Sequence, residues 1–389
     1  MERRDDLDVT RMSHFVGIGL VLGFLLPHTS TMFLLVNPLL CLFYQCFRQN
    51  RVFYKYNWIV LLPMILTLLI NLPQGVSSKS LMSCIVIMLY FFCFPMMGKV
   101  KVPVAYFYII LGFILLSQVA YAYDIPFMER ILDTYYPLSE EDTSGIHEQN
   151  VIDADNMMDY RLGGLYHNSN DCARMLCILL AGVLTLYYEK PIRKLLPFVF
   201  LAFYGVLITG SRTGFVVASL IIIAYLFVDK KVSVVWRYGV TLSAVLVFMY
   251  LIFIGSDTFR GFDVFDTGST DMKQETFRYY LSTENSIFKL LLGYLDASRY
   301  DTSESSSYVM NRFDSDYGSI IFSYGFIGFA AILLFYFSIF LKLKKEGRVF
   351  FVLLLWMYSS TIVKSYRAFF VFMLLLSIVY SNSKQKMME

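Results

Sequence analysis

The chain has 389 residues, 57% of them apolar and only 16% charged, with a formal net charge of +3. Soluble domains carry roughly 25% charged residues, so a set of soluble domains and a disordered chain are both excluded. Six cysteines with no CxxC pair exclude a disulfide scaffold and a thiolate metal or redox centre. The basic residues sit in short clusters between apolar runs instead of forming one face, which points to a membrane and away from nucleic acid.

In chain order, the apolar runs predict helical spans near 14–28, 31–47, 58–73, 81–97, 103–123, 172–188, 195–209, 214–228, 236–254, 317–341, 349–363 and 367–380. Each is read as long enough to cross a hydrocarbon core of about 30 Å. Residues 14–47 are long for one span and short for two, and Pro27-His28-Thr29-Ser30 favours a break between them. Asp5, Asp6 and Asp8 spoil the basic leader of a signal peptide, so the first span is expected to be retained. The expected fold is an all-α polytopic membrane protein of about twelve transmembrane helices, forming a single membrane domain over residues 1–389.

Lys and Arg set the orientation, because cytoplasmic loops are enriched in them. With the N-terminus inside, the inner segments carry Arg3, Arg4 and Arg11; Arg48, Arg51 and Lys55; Lys99 and Lys101; Lys190, Arg193 and Lys194; Lys230, Lys231 and Arg237; Lys342, Lys344, Lys345 and Arg348; and Lys384 and Lys386. Every inner segment is basic, which places both termini in the cytoplasm. Two long hydrophilic segments then lie outside. Residues 124–171 hold 11 acidic and 2 basic residues, and residues 256–316 hold 11 acidic and 6 basic. Loops this long in a compact protein are usually functional.

The spans are almost free of ionisable side chains away from their ends. Arg174, Arg237 and Arg367 lie near span ends, where they can snorkel. Ion-coupled carriers place carboxylates or broken helices near the midplane, so chemistry is expected at the outer mouth. Arg212 stands there in Thr209-Gly210-Ser211-Arg212-Thr213-Gly214, a tight outer turn where the positive-inside rule disfavours arginine. Its planar fork of donors matches phosphate oxygens, and the flanking glycines let backbone N–H groups approach an anion. Contact with lipid headgroups is the plainer reading of the same residue.

Arg161 opens the run Arg161-Leu162-Gly163-Gly164 that leads through His167, Asn168, Asn170 and Asp171 into the sixth span. Asn168, Asn170 and Asp171 suit helix capping, and a lone His167 is an ordinary surface histidine. In the second outer loop, Asp271 can cap a short helix over 272–280 that carries Arg278, which either binds an anion or pairs with Glu275 or Glu284. Residues 285–292 read as a second short helix ended by Gly293. Asp314-Ser315-Asp316-Tyr317 stands at the mouth of the tenth span, followed by Gly325 and Gly328. A carboxylate there serves either as general base or as helix cap.

At these residues the chain resembles the O-antigen polymerase and ligase superfamily, the Wzy-type polysaccharide polymerases. The resemblance rests on Arg161-x-x-Gly164 with Asn168-x-Asn170, on Gly210-Ser211-Arg212, on Arg278 ahead of Gly293, and on Asp314-Ser315-x-Tyr317 running into Gly325-x-x-Gly328. It implies a GT-C-like fold in the bacterial cytoplasmic membrane and a metal-independent glycosyltransferase with no cofactor. The implied substrates are undecaprenyl-pyrophosphate-linked glycans, joined on the outer face. Asp314, Arg278 and Arg212 would be catalytic, and Arg161, Asn168, Asn170 and Tyr317 would bind substrate. A chain-length regulator and a flippase are the implied partners, beside membrane lipid. Ligases of the superfamily carry a His-Asn pair where this chain has Asp314-Ser315, which favours polymerase over ligase. A glycolipid flippase or other transporter is the alternative from a different class.

Overall fold

The computed structural model describes residues 2–26, 31–46, 54, 56–98, 100–123, 125–127, 130–131, 162–166, 168–229, 233–235, 237–243, 278, 280–281, 286–295, 316–359, 362–363 and 365–385. Every regular element among them is helical. The principal helices are α1 (Glu2–Leu25), α2 (Thr31–Cys46), α3 (Asn57–Asn71), α4 (Ser78–Phe92), α5 (Val104–Ala122), α6 (Ser169–Leu186), α7 (Ile192–Ile208), α8 (Arg212–Val228), α9 (Ile287–Leu292), α10 (Asp316–Lys342) and α11 (Tyr366–Gln385).

Among the described residues, five helices are long and apolar enough to cross a membrane: Asn57–Gln74, Val104–Ala122, Ser169–Leu186, Asp316–Lys342 and Tyr366–Ser383. Their outward faces identify the surrounding solvent. On α3, Leu62, Ile65, Leu66, Leu69 and Ile70 are exposed. On α5, Ile109, Phe113 and Leu116 are exposed, and on α7, Leu196, Phe200 and Tyr204. Phe200 is 77% exposed and Leu62 61%. Outward stripes of Leu and Phe at three- and four-residue spacing are costly in water and ordinary in lipid. The chain is thus a membrane-embedded α-helical protein.

The chain divides into two compact units: residues 1–33, 100–265 and 344–353, and residues 34–99, 266–343 and 354–389. At the centre of the first unit stands α6. Its residues Cys172–Leu184 are all buried, because Met175-Leu176-Cys177-Ile178-Leu179-Leu180 leaves no polar face to turn outward. Packed on it are α5, α7 and α8. The second unit is built around α11, buried from Ala368 to Val379, with α4 and α10 against it.

Several expectations need refining. The described residues of 14–47 fall in two helices, α1 and α2, and the first begins well upstream at Glu2; residues 27–30, expected to break them, lie outside the described residues. The stretch 349–363 is not one α-helix. It runs as 3-10 turns over Val349–Leu355 and a helical turn over Trp356–Ser359, and the N–H groups of Ile362 and Val363 donate to the Asp316 carboxylate instead of continuing a helix. Of the expected span 236–254, residues 237–243 are helical, and 236 and 244–254 lie outside the described residues. Arg174 and Arg367 do not snorkel: each is only 2% exposed. Arg237 is half-buried and donates to the Asp229 carbonyl at 2.8 Å.

The sequence reading left one feature of α10 unseen. Gly325 interrupts the helix at φ +67°, a conformation costly for any residue with a Cβ. The interruption frees the carbonyls of Phe322 and Ser323, which accept from Tyr294 N–H at 2.8 Å and Leu295 N–H at 3.0 Å. In a bilayer such carbonyls must find protein donors, and the segment after α9 supplies them.

Candidate functional site

The Arg212 turn is built by its own small residues. Gly210 takes φ +61° and reverses the chain after α7. Thr209 Oγ1 donates to the Val206 carbonyl and accepts Ser211 N–H at 3.2 Å. Ser211 is the N-cap of α8, its Oγ accepting Gly214 N–H at 3.2 Å. Gly214 brings this turn onto α6, since a Cβ there would lie 2.6 Å from Ala173 Cβ. Ser211, 2% exposed, then donates through Oγ to Asn170 Oδ1 at 2.8 Å.

That bond joins two residues 41 positions apart in sequence and sets the N-termini of α6 and α8 side by side. Asn168 is the exposed N-cap of α6, its side chain accepting Asn170 N–H at 2.8 Å. Asp171, in the first turn, forms a 2.7 Å ion pair with buried Arg174. The three polar residues read as caps therefore divide their work: Asn168 caps, Asn170 reaches the neighbouring helix, and Asp171 balances an arginine. Arg212 is the first residue of α8 and is half-exposed beside them. Each helix N-terminus carries roughly half a positive charge, so two of them beside a guanidinium favour an anion.

The approach to α6 is pinned as firmly. Gln118, fully buried on α5, donates to the carbonyls of Leu162 and Gly205, each at 3.1 Å. Leu162 N–H donates to the Ile208 carbonyl, and Leu165 N–H to Ser117 Oγ at 3.0 Å. Gly164 turns at φ +54° against Ser117, where a Cβ would fall 2.4 Å from the hydroxyl oxygen. Tyr166 donates to the Phe24 carbonyl at 2.9 Å. Arg161 and His167 lie outside the described residues.

In the second unit, Arg278 is helical and exposed, while Tyr280 two residues on is fully buried against Phe322. Tyr317 is half-buried against the cluster of Tyr280, Ile321 and Phe322. The expected short helix is present as α9, with Ser286 as N-cap and Gly293 at φ +76° as its end. Asp314 lies outside the described residues. Asp316, also considered as a cap or a base, is fully buried, and its carboxylate accepts the N–H groups of Ile362 and Val363, the latter at 2.9 Å.

Sequence reasoning missed the Asp171–Arg174 pair, the Gln118 tie and the Asp316 clamp. An acid and an arginine three residues apart at the mouth of a span was the available signal for the first. The other two pair side chains with distant backbone, which leaves no pattern in the sequence. Compared with known protein families, curated proteins and solved structures, the chain matches none.

Proposed function

We propose that this protein is a polysaccharide polymerase of about twelve spans and GT-C-like architecture in the bacterial cytoplasmic membrane, with both termini inside. It joins undecaprenyl-pyrophosphate-linked repeat units on the outer face. The observation that carries the reading is the Ser211–Asn170 hydrogen bond. It unites two of the motifs behind the family resemblance and leaves Arg212 beside two helix N-termini.

In the proposed reaction an acceptor hydroxyl attacks the anomeric carbon of the donor. The carbon–oxygen bond to the lipid pyrophosphate breaks, and undecaprenyl pyrophosphate departs with the bonding electrons. The donor is already activated, so no nucleotide or cofactor is required. Asp314 takes the hydroxyl proton. Arg212 stabilises charge developing on the leaving pyrophosphate, as preorganised donors do at a developing anion. Arg278 keeps the same assignment on the strength of its sequence position, and Asn168, Asn170, Tyr317 and Arg161 bind substrate, Arg161 through either the pyrophosphate or the acceptor sugar.

Purified protein supplied with lipid-linked repeat units is expected to yield a ladder of longer lipid-linked glycans. Transfer to a different acceptor instead would identify a ligase, and vesicle uptake without bond formation a flippase. The orientation has its own check: cysteines at Ser144 and Ser305 react with an impermeant thiol reagent in spheroplasts if both long loops are outside.

A further inference from the structure

Residues 256–316 read as a hydrophilic outer segment whose short helices could lie in the membrane interface, but α9 within it is held like a piece of the membrane core. We propose that α9 is inserted into the bilayer, with Ile287, Phe288 and Leu291 solvated by lipid acyl chains. Three independent observations lead there.

The first is depth. Thr67 Oγ1 donates to the Leu292 carbonyl at 2.7 Å, and Asn71 Nδ2 to the Gly293 carbonyl at 3.3 Å. Thr67 and Asn71 occupy the last turn of α3, inside the apolar stretch Asn57–Gln74. On the other side, Tyr294 and Leu295 bond to Phe322 and Ser323. Ser323 is seven residues into α10, about 10 Å along its axis at 1.5 Å per residue. Backbone bonded at these levels lies about 10 Å inside the start of α10 and beside the last turn of α3, within an apolar stretch that continues to Gln74. Gly293 and Gly325 permit the approach: a Cβ on Gly325 would meet the Leu291 carbonyl oxygen at 2.1 Å, and one on Gly293 the Ser323 backbone at 2.4 Å.

The second is the outward face. Ile287 is 71% exposed and Phe288 75%, while Leu292 is buried. A six-residue helix cannot sustain itself in water, and one that turned Ile, Phe and Leu to water would be doubly disfavoured. Beside it, α3 exposes Leu66, Leu69 and Ile70 over the same stretch that carries Thr67 and Asn71, so the two apolar faces occupy one level.

The third is Lys289. Its Nζ donates to Asn71 Oδ1 at 2.8 Å and Gln74 Oε1 at 3.0 Å and lies 4.7 Å from the Tyr294 ring centroid. Set between two apolar neighbours, it reaches back along α3 towards the helix end. That is how a lysine at membrane depth keeps its charge solvated.

The test uses the full chain reconstituted in phosphatidylcholine–phosphatidylglycerol nanodiscs and spin-labelled at Phe288→Cys or, separately, Ile287→Cys. Ser78→Cys, exposed at the start of α4, is the aqueous reference. The wild-type chain, whose described cysteines are buried, sets the labelling background. Collisions with oxygen should exceed those with a water-soluble nickel chelate several-fold at 288 and 287, with the reverse at 78. A nickel chelate reaching 288 and 287 as readily as 78 would overturn the proposal. So would labels at both positions that neither reagent reaches, because the face would then be covered by protein.

Discussion

Ser211 and Asn170 share a 2.8 Å hydrogen bond that ties the N-cap of α8 to the first turn of α6. Ser211 Oγ accepts from its own helix and donates to the neighbouring one, so one hydroxyl both starts a helix and fixes where its first residue, Arg212, stands. Ser211→Ala is expected to destabilise the protein by about 1–2 kcal/mol through the lost cap alone. A double-mutant cycle with Asn170→Ala should show a coupling of about 0.5–1.5 kcal/mol, read from thermal unfolding in detergent. Strict additivity would mean that the bond contributes nothing.

Arg212→Ala should abolish polymer formation at wild-type protein levels. Arg212→Lys should also be strongly impaired, because an ammonium cannot reproduce a bidentate fork on phosphate. Polymer analysis in cells carrying each variant decides it: a lysine variant with normal output would assign Arg212 a role as a simple surface charge.

In the sequence Asp316 was legible as one acid of a pair at a helix mouth, a cap or a base, whose substitution should matter less than that of Asp314. Its burial and its two backbone donors change that expectation. Asp316→Asn puts an NH₂ group where a carboxylate oxygen accepted an N–H, and a buried donor left unsatisfied costs about 1–3 kcal/mol. The melting temperature in detergent should fall measurably, and an unchanged value would show that the clamp carries no stability.

Most helices among the described residues fall where apolar runs of membrane length have few alternatives, the stretch 349–363 being the exception. The cap at Asn168 and the stop at Gly293 were readable because they are local, whereas Ser286, expected inside its helix, proves to be the cap. What escaped was long-range. Gly325 and Gly328 suggested close packing, yet nothing in the sequence says that Gly325 breaks the helix or that Gly293 docks into the break. Nothing in the sequence singled out Gln118, and its three partners come from the stretch before α6, from α6 and from α7. At the candidate site the motifs were visible singly, and the fold had to bring Asn170 to Ser211.

Gly325→Ala should be among the most damaging single-methyl changes in the chain. It forces a left-handed backbone that costs an L-residue roughly 1–2 kcal/mol and drives a methyl into the Leu291 carbonyl. Gly112→Ala on α5 is the control, with nothing within 4 Å of the added Cβ, and should be neutral or stabilising by up to about 1 kcal/mol. Folded yield and melting temperature compare the two, and equal behaviour would refute the docked break.

The central claim concerns bond exchange between two lipid-linked glycans, and its most direct measure is the stoichiometry of that exchange. Purified protein is incubated with undecaprenyl-pyrophosphate-linked repeat units, and released undecaprenyl pyrophosphate is counted against new glycosidic bonds. One molecule released per bond formed is expected; in Asp314→Asn the ratio should hold while the rate of both falls by about 10²–10⁴-fold if that carboxylate is the base. Intact repeat units with no release of lipid pyrophosphate, under conditions where the protein is folded and binds them, would contradict the account.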